Sequence, residues 1–176
     1  MTYLIVSDTH GRTADLQSVL DRFGRAGSRR PDAILFLGDG VRDLDYLNAA
    51  GLPILAVRGN CDSFFMGNDS TPETRTFSDG NYTVMMMHGH RFHVKGGTDT
   101  AAAYAATQGA DVLLYGHTHT PAEIYLPEGT VVAGMALKKP LYLFNPGSLS
   151  YPNTGEPTYG LMHVTRDGVL FSHGHP

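Results

Sequence analysis

Five apolar runs of five or six residues constrain the fold most: Tyr3–Ser7, Ala33–Leu37, Pro53–Val57, Tyr82–Met87 and Asp111–Tyr115, each closed by turn or polar residues. Runs this short suit strands buried on both faces better than helices of ordinary length. Helical patterns lie between them. Leu16, Val19, Leu20 and Phe23 fall at i, i+3, i+4 and i+7, with Thr13 as N-cap and Gly24 just past the apolar face. Val41–Asn48 fits a shorter helix. Ala101–Gln108, preceded by Thr98, Asp99 and Thr100 and stopped by Gly109, fits a third. Strand–helix alternation favours a parallel α/β sheet.

The last third changes character. Ala122–Leu126, Leu141–Phe144, Thr158–Val164 and Val169–Ser172 read as hairpin-like strands joined by Gly, Pro and Asn turns. With 176 residues and no internal repeat or linker, the chain reads as one domain over residues 1–176 containing two sheets.

The chemistry lies in the residues just after each apolar run. The first run leads into Asp8-Thr9-His10, the second into Gly38-Asp39, and the third into Gly59-Asn60-Cys61-Asp62. The fourth leads into His88-Gly89-His90 and the fifth into Gly116-His117-Thr118-His119. Ligands of open α/β sheets bind outside the carboxyl ends of the strands, so these groups are expected on one rim. Glycine lets the backbone turn sharply as it leaves a strand. Each motif alone is a common turn; their joint occurrence in this order points to a metal site. Oxygen and nitrogen ligands without thiolate suit Mn, Fe, Zn or Ni. Asp8, His10, Asp39, Asn60, His88, His117 and His119 are too many ligands for one ion and fit two ions sharing a carboxylate. Two ions ~3.5–4 Å apart clamp a phosphoryl group and lower the pKa of a shared water to about 7, so a bridging hydroxide exists at neutral pH.

This series of motifs, closed by Asn145-Pro146-Gly147-Ser148, resembles the calcineurin-like metallophosphoesterases and, within them, the small bacterial and archaeal phosphodiesterase branch. The resemblance runs from Asp8 to Ser148. It implies a four-layer α/β/β/α sandwich of two mixed sheets flanked by helices. It also implies that Asp8, His10 and His119 hold one ion, that Asn60, His88 and His117 hold the other, and that Asp39 bridges, with manganese the first expectation. Asn60, Cys61 and His88 are the catalytic residues it implies. The activity it implies is hydrolysis of a small phosphodiester by the metal-bridging hydroxide, with the leaving alkoxide departing toward the Asn60–Cys61 loop. In many members a histidine comes after the asparagine and is thought to protonate the leaving group. Here that position is Cys61, a poorer acid near neutrality than an imidazolium. The rival reading is a non-catalytic protein-binding scaffold of the same fold.

The remaining residues carry less. Asp62 either braces a site histidine or caps its turn, and His90 either meets the site or is a loop residue. His93 and His163 are expected in core or surface roles, and His173 and His175 in a solvated tail. Arg29-Arg30 and Lys138-Lys139 are expected as exposed charge. The long segment Pro127–Pro140 either leans over the site or, through Val131–Leu137, packs on a second copy in a homo-oligomer, a dimer being expected.

Seventeen acidic residues against thirteen Lys and Arg give a net charge of −4, which argues against dedicated nucleic-acid binding. The lone Cys61 fits a reducing compartment. Tyr3–Val6 is too short for a signal-peptide core, and no apolar run approaches the ~18 residues of a membrane span. A cytoplasmic protein without membrane contact is the expectation.

Overall fold

The computed structural model describes residues 1–24, 30–49, 51–62, 71–153 and 155–176. Arg29 lies outside them. Strands β1 (Thr2–Val6), β2 (Ala33–Phe36) and β3 (Ile54–Ala56) are parallel neighbours, linked through helices α1 (Thr13–Gly24) and α2 (Leu44–Ala49). Next come β4 (Thr74–Asp79), β5 (Tyr82–Met87), α3 (Asp99–Thr107), β6 (Val112–Tyr115) and β7 (Ala122–Leu126). The chain ends with β8 (Val131–Val132), β9 (Met135–Ala136), β10 (Leu141–Asn145), β11 (Tyr159–Val164) and β12 (Val169–Gly174). One five-stranded sheet has the order β12-β11-β1-β2-β3, the other β4-β5-β6-β10-β7, and both mix parallel and antiparallel pairs.

Alternation along the strands builds the layers. Ile5 and Leu35 of the first sheet meet Val84, Met86, Val112, Leu114 and Phe144 of the second in the central core. Leu4, Val6, Ile34 and Phe36 point the other way, onto Leu16, Val19 and Leu20 of α1 and Leu47 of α2. Met85, Met87, Leu113 and Leu143 pack outward on Ala101, Ala102 and Ala105 of α3, whose small side chains bring the helix close to the sheet. The result is the expected four-layer α/β/β/α arrangement.

The structure departs from the sequence reading in several places. The predicted helix over Val41–Asn48 begins as a 3-10 turn, Val41–Asp43, because the N–H groups of Gly40 and Val41 donate to the Asp62 carboxylate. Strand β4 escaped notice because TRTFSD holds a single large apolar residue; as an edge strand it needs no more. Strand β10 pairs antiparallel with β7, as expected of hairpin-like strands, but its other edge lies parallel to β6, because Leu141, Leu143 and Phe144 are buried and demand an interior position. The alternating AEIYL of β7 tolerates the edge.

Pro127–Pro140 does not lean over the strand-end rim. Its β8–β9 hairpin turns at Ala133 and Gly134, both at positive φ, and buries Val132 and Leu137 in the layer of α3. Lys139 is not merely exposed charge. It donates to Asp111 Oδ1 at 2.5 Å and to the Gly109 carbonyl at 2.8 Å, at the amino end of β6 and opposite the rim. Within Val131–Leu137 only Val132 and Leu137 are buried in the chain, and Val131 remains 64% exposed. No helix among the described residues is long and apolar enough to cross a membrane.

Candidate metal centre

The carboxyl ends of β1, β2, β3, β5 and β6 converge where the two sheets meet. Backbone bonds join the first three loops: Asp8 N–H donates to Gly38 O at 3.0 Å and His10 N–H to Asp39 O at 2.9 Å. Across the sandwich, His117 N–H donates to Asp8 Oδ2 at 3.1 Å. The loops approach so closely that a Cβ on Gly59 would collide with the Asp39 carboxylate, and one on Gly116 with the Ser7 hydroxyl. Asp8, His10, Asp39, His117 and His119 all adopt positive φ, between 47° and 67°. For side-chain-bearing residues this conformation costs on the order of 1–3 kcal/mol each, and it persists where the surroundings over-determine it. The strain collects where the ligand-type residues are.

Six of the seven residues expected as ligands fall into two groups. Ligand atoms of Asp8, His10 and His119 lie within 4.8 Å of one another, as do those of Asp39, His88 and His117. In the first group Asp8 Oδ1 is 3.8 Å from His10 Nε2 and 3.1 Å from His119 Nε2, and the two imidazole nitrogens are 3.5 Å apart. In the second, Asp39 Oδ2 is 3.3 Å from His88 Nε2, which lies 3.2 Å from His117 Nδ1. The same Asp39 Oδ2 is 3.9 Å from His10 Nε2, so one carboxylate oxygen faces both groups. Asn60 Oδ1 is buried without a hydrogen-bond partner, and so is Asp8 Oδ1. Buried acceptors without donors are costly unless something electropositive lies between them, and this donor set fits divalent cations.

A supporting shell orients these groups. His88 Nδ1–H donates to Leu37 O at 2.7 Å and His119 Nδ1–H to Tyr151 O at 2.7 Å, which turns each Nε2 toward the cluster. Asp8 Oδ2 accepts from Ser7 Oγ–H at 2.6 Å, and Asp39 Oδ1 from Cys61 N–H at 2.8 Å. Asp62 is a turn organiser and touches no histidine in this network. Its carboxylate accepts four backbone N–H groups, from Asp39, Gly40, Val41 and Gly59, at 2.7–2.9 Å. It therefore ties the loop bearing Asp39 to the loop bearing Asn60. Asn145 donates to Gly116 O at 3.0 Å and Ser148 Oγ–H to Asp8 O at 2.9 Å, so the Asn-Pro-Gly-Ser turn braces the β1 and β6 loops.

Charge follows the geometry. Burial pushes the Asp39 carboxyl up, but the hydrogen bond and charge of His88 and the donors of Cys61 hold it well below the usual range. Burial pushes His88 down, but Asp39 and Asp8 raise it overall. His117 is lowered to about 4 by burial and by the charges of His88 and Lys95. His119 is raised, first by the adjacent Asp8 carboxylate.

Cys61 Sγ lies within 4.8 Å of ligand atoms of both His10 and Asp39, inside the cluster and on the wall of a cavity of about 270 Å³. Burial and the neighbouring Asp39 push its thiol up to about 11. His90 does meet the site, its ring 5.5 Å from that of His88 and 6.1 Å from that of His117. His93 and His163 stand outside: His93 ends the short 3-10 turn His90–Phe92 and His163 bonds Thr2 Oγ1 at 2.8 Å. His173 is not a free tail residue; it belongs to β12, stacks on Phe144 at 4.5 Å and bonds Asn145 O at 2.7 Å. His175 likewise bonds Pro157 O at 3.0 Å. Sequence reasoning missed Ser7, Tyr151 and Arg12. Tyr151 lies edge-on to His10 at 5.4 Å and carries the Arg12 guanidinium over its face at 4.9 Å. No local motif signals the pair, which lies far apart in sequence.

The chain is similar to known proteins in sequence and in fold. The model of the calcineurin-like phosphoesterase superfamily domain matches residues 1–167. Phosphodiesterase YfcE of Escherichia coli strain K12 is 29% identical, over 92% of this chain and 87% of its own. A predicted phosphoesterase from Streptococcus pneumoniae superposes with a TM-score of 0.73 at 26% identity, over 99% of this chain and 88% of its own. Wild-type Vps29 of Entamoeba histolytica, solved with zinc, gives a TM-score of 0.69 at 25% identity, over 99% of each chain. The chain belongs to the calcineurin-like phosphoesterase superfamily.

Proposed function

We propose that this chain is a binuclear-metal phosphodiesterase acting on small phosphodiesters. The observation that carries the reading is that carboxylate oxygens face both ligand groups at once: Asp39 Oδ2 is 3.3 Å from His88 Nε2 and 3.9 Å from His10 Nε2, and Asp8 Oδ1 is 3.8 Å from His10 Nε2 and 3.9 Å from His88 Nε2. Asp8, His10 and His119 would hold one ion, and Asn60, His88 and His117 the other. Two divalent ions bound there supply Lewis-acid charge for the phosphoryl oxygens and a water acidic enough to ionise near pH 7.

The chain's own residues prepare that chemistry. Leu37 O and Tyr151 O fix the tautomers of His88 and His119, so both rings offer Nε2 lone pairs. In the metal-free protein Cys61, raised to about 11, is a neutral thiol at neutral pH, and in neither protonation state does it add positive charge beside a departing oxygen. The reading therefore favours diesters with good leaving groups over alkyl monoesters. It is tested by reconstituting metal-free protein with Mn, Fe, Zn or Ni and assaying bis(p-nitrophenyl) phosphate against p-nitrophenyl phosphate. Diester turnover with manganese, at two ions per chain, is expected. A loaded protein that hydrolyses neither ester overturns the reading.

The second reading, a protein-binding scaffold, draws on the likeness to Vps29. Because that Vps29 structure holds zinc, metal content does not separate the two readings; turnover does.

A further inference from the structure

Arg12 plays no part in the metal-ligand cluster, yet it stands beside it. Its guanidinium lies 4.9 Å over the ring of Tyr151, and one of its nitrogens donates to Ser150 O at 3.2 Å. The same tyrosine meets the outer ligand group twice: its ring lies edge-on to His10, and its carbonyl accepts from His119 Nδ1–H. Arg12 is thus two ring contacts from the first ligand group, on an exposed rim, held by a π face and a carbonyl. Among the described residues no carboxylate forms an ion pair with it.

The phosphate under attack belongs at the ligand cluster, and Arg12 is separated from it by the Tyr151 ring. A planar fork of donors at that distance suits a further phosphate or carboxylate on the same molecule. We propose that Arg12 is a specificity-determining residue that binds a second anionic group of the substrate, a few bonds from the phosphorus under attack. The substrate class is then a small phosphodiester whose alcohol arm carries its own phosphate or carboxylate. A polymer track would need a row of such cations on a basic chain, and this chain is acidic overall. The inference rests on the phosphodiesterase reading for its substrate but not for its binding test.

Thymidine 3′,5′-bisphosphate and thymidine 5′-monophosphate, titrated calorimetrically into manganese-loaded protein, differ only in the second anion. Wild type is expected to bind the bisphosphate about 10–100-fold more tightly, the scale of a hydrogen bond to a charged group. Arg12→Met keeps a stem on Tyr151 and should erase that preference, whereas Arg12→Lys should restore part of it. Hydrolysis of the p-nitrophenyl ester of thymidine 5′-phosphate, with and without a 3′-phosphate, should show the same ratio in kcat/KM.

Equal wild-type affinity for the two nucleotides overturns the inference. So does an equal loss of both ligands in Arg12→Met with metal content reduced, since Arg12 would then only hold the Ser150–Tyr151 turn. A binding preference that disappears in Arg12→Met, in a protein that hydrolyses no ester, upholds the anion site and overturns the phosphodiesterase reading instead.

Discussion

The two ligand groups are built differently. In the inner group His88 is fully buried, its ring pinned by the Leu37 carbonyl, whereas its neighbour His117 is only partly buried, as His10 and His119 are. In the outer group His10 and His119 remain 19% and 17% exposed and flank the open side at Tyr151. The inner histidine is set by the core, and the outer ones by a turn that faces solvent. An ion in the inner group is therefore expected to exchange slowly, and one in the outer group to exchange readily and face the incoming ester. Asp39 spans the difference.

Breaking the comparison altogether takes one atom. Asp39→Asn retains an acceptor for Cys61 N–H but removes the charge that both groups share. Both ions should be lost together, and diester turnover should fall by at least ~10³-fold, the scale seen when a central electrostatic group is removed. Metal analysis that finds one ion retained in full would show that Asp39 serves one group only.

Asp62→Asn should unbalance the groups without abolishing them. Each carboxylate oxygen takes two backbone N–H groups, and an amide would turn an NH2 toward one of those pairs. Two charge-assisted bonds lost in a buried turn cost about 3–6 kcal/mol. At ~2–4 °C per kcal/mol for a chain of this size, Tm should drop by about 6–24 °C. Metal affinity should weaken ~10–100-fold, most at the inner group, whose Asn60 and Asp39 loops this residue joins. Calorimetric metal titration and thermal melts read both effects; a loss confined to the outer ion would contradict the assignment of Asp62.

Much of this was legible in the sequence, for a physical reason. Strands buried on both faces leave continuous apolar runs, and the residues after them must lie at the sheet ends, so Asp8, Asp39, His88 and His117 could be read as neighbours. Asp62 could not be assigned, because an aspartate that caps backbone N–H groups and one that braces a histidine look alike in sequence. The parallel pairing of β10 with β6 was not legible because pairing order depends on which strand can bear an edge, a property of the whole sheet. The Arg12–Tyr151 contact was invisible because it joins residues 139 positions apart through a turn with no periodicity.

Titration in the metal-free protein sharpens the contrast further. His117 is lowered to about 4, against ~6.5 for an unfolded histidine. Between those values the unfolded chain binds more protons, so this group's contribution to stability rises with pH from about 4 to 6.5 and is lost on acidification through that window. His119 is raised, so its contribution is present below its unfolded pKa and is lost as pH rises through the folded value. Two-dimensional NMR of the imidazoles should find His117 neutral down to about pH 5 and His119 still protonated above 6.5. Proton uptake by His117 near pH 6.5 would remove this difference between the groups.

Cys61 gives the smallest expected effect and the finest test. Its thiol sits between His10 and Asp39, close enough to join either ion, yet burial and Asp39 raise it to about 11. At pH 8 only about one thiol in a thousand would then be ionised, against roughly a quarter of free cysteines at their usual pKa of ~8.5. Alkylation of metal-free protein by iodoacetamide at pH 8 should therefore run on the order of 100-fold slower than that of a free thiol. Cys61→Ser should change diester kcat/KM by no more than a few fold, because a neutral thiol contributes neither charge nor an efficient proton. Cys61→His should raise monoester turnover, since a positioned acid typically contributes ~10²–10⁴-fold. The comparison that decides is diester against monoester kcat/KM in wild type, Cys61→Ser and Cys61→His at matched metal content. If Cys61→Ser loses diesterase activity together with an ion, sulfur is a ligand and the two groups meet at Cys61 as well as at Asp39. If activity is lost with both ions retained, the thiol acts on the ester directly and its neutrality is the wrong account of its role.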